Sequence, residues 1–279
     1  MDRLLRRPLV LALGCLVLFA VVLVGAYVPG RGSWLDAAGL AGFVDLQSSF
    51  VAHFTGRLVR FGDPVPVGLA GAMLAVIALA RGRPRLAVGV LLLVAATSVS
   101  SQVLKAVLAH PRESESLGAG GHVNPAAFPS GHATAAMSLA LGAVLVAPRR
   151  LRPLAALAGA ALAVAVGFSV VSLGWHFPSD VVGGYLLATA WALVLVAVLR
   201  LPPRPERSRS VRQAVPAGVQ VGLAAAAAIA ALGVVAVLVD VSGASDFARE
   251  HTASVVVGAA LAALAVALPA SVAATLRRR

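Results

Sequence analysis

Eight apolar stretches divide this chain, at about 9–28, 65–80, 86–109, 132–147, 154–175, 179–199, 215–241 and 252–276. A helix that crosses a bilayer needs roughly 20 predominantly apolar residues, somewhat fewer or more with mismatch and tilt. The stretches at 65–80 and 132–147 sit at the short end of that window. In hydrocarbon a crossing segment must satisfy every backbone N–H and C=O internally, and runs of this length do so as helices. Composition agrees: 59% of the 279 residues are hydrophobic and 12% charged, with mean hydropathy +0.92. Soluble domains carry about 25% charged residues, and disordered chains are poor in apolar ones, so both classes are excluded. Cys15, the single cysteine, cannot close an internal disulfide. The expected fold class is all-α, a polytopic membrane bundle of about eight transmembrane helices.

The net charge of +12 comes from 22 arginines and one lysine against 11 acidic residues. These basic residues fall in clusters between the apolar runs, so they read as topology signals and not as a nucleic-acid surface. With the N-terminus inside, 17 lie on inner segments. Six lie outside: Arg31, Arg57, Arg60, Lys105, Arg112 and Arg249. The expectation is a multi-pass plasma-membrane protein with both termini cytoplasmic. The first run is too long for a signal-peptide core, and the residues before Cys15 are a poor lipoprotein context. Residues 201–214, rich in Pro, Arg and Ser, read as a cytoplasmic linker between a domain at 1–200 and two further spans at 215–279. The Arg-over-Lys, Ala-rich usage is that of a GC-rich bacterial genome.

The outer segment from Pro29 to Pro64 carries Leu46, Phe50, Phe54, Leu58 and Phe61 at the spacing of one helix face. Such a helix fits the outer interface, or packs its aromatic face on the bundle; the spacing leaves both open. The six histidines also fall on the outer side: His53, His110, His122, His132, His176 and His251. Two of them stand at helix starts. Pro129-Ser130-Gly131-His132 precedes the fourth span, where unpaired first-turn amides and the helix dipole make an anion site or an ordinary cap. His176-Phe177-Pro178-Ser179-Asp180 opens the sixth span. There Asp180 can bond one imidazole nitrogen and leave the other as a nucleophile, or the pair can be structural. Lys105 ends a polar stripe of Ser98, Ser101 and Gln102 on the third span. It either snorkels to the interface or joins the site, and the stripe should avoid lipid. Together these elements suit a dianionic phosphate group, with a nucleophile and a second histidine as acid. No metal-ligand cluster is evident, so a metal-independent reaction with no cofactor is expected.

The order and spacing of these residues resemble the type-2 phosphatidate phosphatase superfamily, which also includes the vanadium haloperoxidases. Its signature is Lys-x6-Arg-Pro, then Pro-Ser-Gly-His, then Ser-Arg-x5-His-x3-Asp. Here the first part is Lys105 and Arg112, with Glu113 in place of proline. The second is complete at Pro129–His132. The third is Ser169, His176 and Asp180, with Val170 in place of arginine. The resemblance covers roughly residues 60–200, a six-helix core, and leaves the last two spans outside.

The resemblance implies that His176 attacks phosphorus to form a phosphohistidine, with Asp180 orienting it and His132 protonating the leaving lipid oxygen. Lys105, Arg112, Ser130 and the Gly131 amide would hold the phosphate. The implied activity is hydrolysis of a lipid phosphate or diphosphate (phosphatidate, prenyl diphosphate or phosphatidylglycerol phosphate) at the outer membrane face. A phosphotransferase using the same phosphohistidine is the alternative. A weakly active or inactive lipid-binding member is another, because of Val170. The partner is a membrane lipid, with no nucleic acid, and the oligomeric state is not legible. If the site lacks a cation at 170, Val170→Arg should raise kcat/KM about tenfold, the equivalent of ~1.4 kcal/mol.

Overall fold

A computed structural model describes residues 3–46, 49–112, 123–200 and 248–276. These residues form nine α-helices: α1 (Arg3–Tyr27), α2 (Arg31–Asp45), α3 (Ser49–Leu58), α4 (Pro64–Ala80), α5 (Pro84–Val107), α6 (Gly131–Val146), α7 (Arg152–Ser172), α8 (Pro178–Leu199) and α9 (Thr252–Thr275). A short 3-10 turn, Val59–Gly62, joins α3 to α4. The apolar runs among the described residues are helices, and proline within the first turns of α4, α5, α7 and α8 marks where they start.

Five of these helices, α1, α5, α7, α8 and α9, are long and apolar enough to cross a bilayer. A sixth span is available if α4 is joined to the segment before it, across a 53° bend. The helix α6 is apolar but only 16 residues long. The expected span at 215–241 and the linker at 201–214 lie outside the described residues.

The bundle is built around α6 and α8. α6 packs between α7 and α8, α1 runs along α8, α4 pairs with α5, and α9 lies against α7, α2 and α8. Glycines let these backbones approach closely: a Cβ on Gly184 of α8 would lie 2.8 Å from the Ser130 carbonyl and Thr134 Oγ1 at the start of α6, and one on Gly159 of α7 would lie 2.8 Å from Ala140 Cα of α6. Two sets of arginines mark one end of this bundle. Arg81 and Arg83 donate to the carbonyls of Val146 and Leu145 at the C-terminus of α6, and Arg200 donates to Thr275 at the end of α9. The opposite end holds the C-terminus of α5 and the N-termini of α6 and α8.

Two expectations change here. The aromatic segment before Pro64 is not one helix: α2 ends at Asp45, so Leu46 and Phe54 belong to different elements. Phe54 and Phe61 are exposed and Leu58 is half-buried, so these two phenylalanines do not pack on the bundle. The polar stripe on α5 is also rotated. Thr97 and Ser101 are buried whereas Ser98 and Gln102 are exposed, because the inward face follows the i, i+4 series 97, 101, 105.

Candidate active site

The turn from α7 to α8 sets the first histidine. α7 ends in a Schellman motif, with Gly174 at φ +70, a conformation glycine adopts without a Cβ penalty. The Gly174 amide bonds the Val171 carbonyl at 2.9 Å, and the Trp175 amide bonds the Val170 carbonyl at 3.0 Å. The His176 amide reaches the same Val170 carbonyl at 3.3 Å. Pro178 then starts α8, placing Asp180 in its first turn, where its carboxylate accepts from the Phe177 amide at 3.0 Å. His176 and Asp180 therefore face each other, with Nδ1 to Oδ2 at 3.2 Å, and both are buried. An ionised carboxylate only accepts, so Nδ1 carries the proton and Nε2 is left with a lone pair.

Asp180 has a second partner that the sequence did not announce as such. Arg112 donates through Nη2 to Asp180 Oδ1 at 2.5 Å, and through Nη1 to Ser179 Oγ at 3.0 Å and Asp36 Oδ2 at 3.3 Å. Its guanidinium stacks over the rings of Phe177 and Tyr27, 4.1 Å and 5.0 Å from their centroids. The side chain is only 9% exposed. The expected phosphate ligand thus sits at the site as the counter-ion of two carboxylates.

Asp36 was missed altogether. It comes from α2, and its carboxylate accepts from the Ser179 amide at 2.8 Å and the Ser179 hydroxyl at 2.5 Å, capping α8 from outside the helix. Burial, followed by the nearby Asp180 charge, pushes the Asp36 carboxyl up to about 6, against the opposing pull of Ser179 and Arg112. An aspartate among the apolar residues of α2 was the available signal, and it carries no spacing that names a partner.

The second histidine stands at the start of α6. Ser130 is the N-cap, its hydroxyl accepting from the Ala133 amide at 3.4 Å, and its own amide donates to the Asp180 carbonyl at 2.9 Å. That bond ties the two helix starts together. A Cβ placed on Gly131 would lie 3.7 Å from Lys105 Nζ, so the lysine reaches the N-terminus of α6. His132 meets Asp63, a second missed acid, with Nε2 to Oδ1 at 3.2 Å, and its ring leans on Trp175 at 5.9 Å. All seven expected site residues therefore gather at this end of the bundle. Glu113 and His122 lie outside the described residues. Among the described residues, no three His, Cys, Asp or Glu side chains converge as a metal site.

Val170 does not open onto this site. Its side chain is fully buried in the main core, and its contribution to His176 is its carbonyl. An arginine here would have to displace packed side chains, so folded yield has to be measured before any change in activity is read.

The model of the PAP2 superfamily matches residues 86–204, the stretch that spans α5 to α8 and holds both helix starts. Over these residues the chain is similar to the PAP2 superfamily. A solved structure with a similar fold is a transmembrane PAP2-type phosphatidylglycerolphosphate phosphatase from Bacillus subtilis. It is 19% identical at TM-score 0.58, covering 70% of this chain and 98% of that one. No curated protein matches the sequence significantly. The membrane helices and the PAP2 match together support a lipid phosphatase.

Proposed function

We propose that this PAP2 protein hydrolyses a lipid phosphate or diphosphate through a phosphohistidine on His176. The observation that carries the reading is the buried His176–Asp180 pair, which leaves Nε2 as a lone-pair donor, while the Asp180 carbonyl accepts from the Ser130 amide at the start of α6. In the first step the Nε2 lone pair forms an N–P bond, and the P–O bond to the lipid breaks with its electrons on the leaving oxygen. His132 gives that oxygen a proton. In the second step water attacks phosphorus, His132 takes the water's proton, and the N–P bond breaks with its electrons returning to Nε2. Lys105 and the first amides of α6 match the charge on the equatorial oxygens, with Ser130 fixing the helix start.

Phosphatidate, a prenyl diphosphate and phosphatidylglycerol phosphate are the candidate substrates, as the chemistry at phosphorus is shared. The arginine-rich end of the bundle is assigned to the cytoplasm and the site to the outer face. Purified protein should release phosphate from at least one member of that panel, and the His176→Ala protein from none. Release that survives His176→Ala would overturn the mechanism. For the sidedness, a cysteine at Asn124 should react with an impermeant reagent on intact cells, and one at Arg150 should not.

A further inference from the structure

Asp63 stands at the N-cap position of α4, where aspartate is among the preferred residues because its carboxylate accepts from the first-turn amides. Here it makes no such bond. Its carboxylate points instead across to α6, 3.2 Å from His132 Nε2. The residue before it is shaped for the same contact: a Cβ on Gly62 would lie 2.7 Å from His132 Cδ2, so the ring edge rests on bare backbone. Trp175 leans on the ring as well. Asp63 is half-exposed and His132 a quarter exposed, and an ion pair so open to solvent contributes little to folding. Its geometry therefore serves something other than stability.

We infer that Asp63 is a positioning residue for proton transfer: it holds His132 by Nε2, so that Nδ1 is the nitrogen that gives and takes the proton at the lipid oxygen. This rests on the phosphoryl-transfer reading above. When Nδ1 delivers its proton to the leaving oxygen, the Nε2–H stays on the ring, bonded to Asp63. The neutral histidine is then already the tautomer whose Nδ1 lone pair can take the proton of the attacking water. Without Asp63 the ring is free to turn and to carry its proton on either nitrogen. Asp63 lies ahead of the matched PAP2 segment, so this contact is supplied by the chain's own outer helices.

Leaving-group dependence separates this role from a structural one. An alkoxide leaves lipid phosphate only with a proton, whereas nitrophenolate leaves without one. Asp63→Asn is nearly isosteric, and asparagine serves equally well at an N-cap. We expect kcat/KM for phosphatidate to fall about tenfold in Asp63→Asn, while that for p-nitrophenyl phosphate stays within about twofold. Asp63→Glu, which keeps the charge, should lie nearer to the wild type on phosphatidate and guards against a folding defect in the Asn variant. Equal losses on the two substrates, or no loss on either, would overturn the inference and leave the phosphatase reading standing. Wild-type protein that releases phosphate from p-nitrophenyl phosphate and from every lipid of the panel in no measurable amount would overturn both.

Discussion

The two histidine–aspartate pairs share a separation of 3.2 Å and little else. His176 and Asp180 are four residues apart on one local turn, buried, and the carboxylate is bound on both oxygens by His176, Phe177 and Arg112. His132 and Asp63 are 69 residues apart, partly exposed, and joined by a single bond between two helix ends. They also engage opposite ring nitrogens: Nδ1 in His176 and Nε2 in His132. A nucleophile must be held at one distance from phosphorus, so it gains from a fixed, enclosed partner. On the proposed mechanism the acid serves an incoming lipid and then a water, and so gains from a partly exposed position. The difference assigns rigidity to the first pair and access to the second.

Breaking the buried pair should have the largest effect. His176→Ala should lower phosphate release by about 10⁴-fold or more, with loss of the acid-labile phosphoenzyme. Asp180→Asn keeps the shape but no longer fixes the tautomer or supports the imidazolium, and should cost about 10³-fold. Both are read from initial rates and from trapping labelled phosphate on the protein. If Asp180→Asn costs no more than Asp63→Asn on phosphatidate, the buried pair has no special standing and the contrast fails.

The next effect tests what surrounds the buried pair. Asp36 reaches Ser179 and Arg112, and its carboxyl is raised from 3.8 to about 6. The fold therefore prefers it protonated, so its contribution is fully present below about pH 4 and is lost as pH rises through about 6. A shift of this size corresponds to on the order of 3 kcal/mol. Melting of the detergent-solubilised protein should show that decline in the wild type. In Asp36→Asn the corresponding part of the slope should vanish, and an unchanged slope would mean that another group titrates there.

How much of this was legible follows the same contrast. The helices from α4 to α8 could be read from apolar runs closed by proline and arginine, and the His176–Asp180 pair from a spacing of four next to Pro178. Those features are local, so sequence distance stands in for spatial distance. Asp36 and Asp63 could not be read, because each meets its partner across long stretches of chain and neither sits in a repeating pattern. Arg112 was placed at the right end of the bundle, but its contacts with Asp180 and Asp36 were not read, since they join residues 68 and 76 positions apart. Val170 looked like a gap in a motif, yet its side chain is core and its carbonyl shapes the turn before His176.

The smallest effect probes the exposed pair by shape alone. Gly62→Ala changes no charge and asks for no unusual backbone angle, but its methyl would lie 2.7 Å from His132 Cδ2, 2.9 Å from its Cβ and 3.1 Å from its Cα. Rotating the ring cannot relieve the contact with Cα, so the 3-10 turn or the start of α6 has to shift by a few tenths of an ångström. That shift separates Asp63 from His132 while leaving the His176 turn, which hangs from α7 and α8, where it is. The kcat/KM for phosphatidate should fall by several-fold to about tenfold, as small misplacements of a catalytic group do, with that for p-nitrophenyl phosphate affected by less than about twofold. Overpacking at a helix junction also costs about 1–3 kcal/mol, so the melting temperature should drop as well. Equal slowing on both substrates would mean that the strain travels through the Ser130–Asp180 bond to His176. The two pairs would then be one mechanical unit, and the division between a fixed nucleophile and an accessible acid would have to be given up.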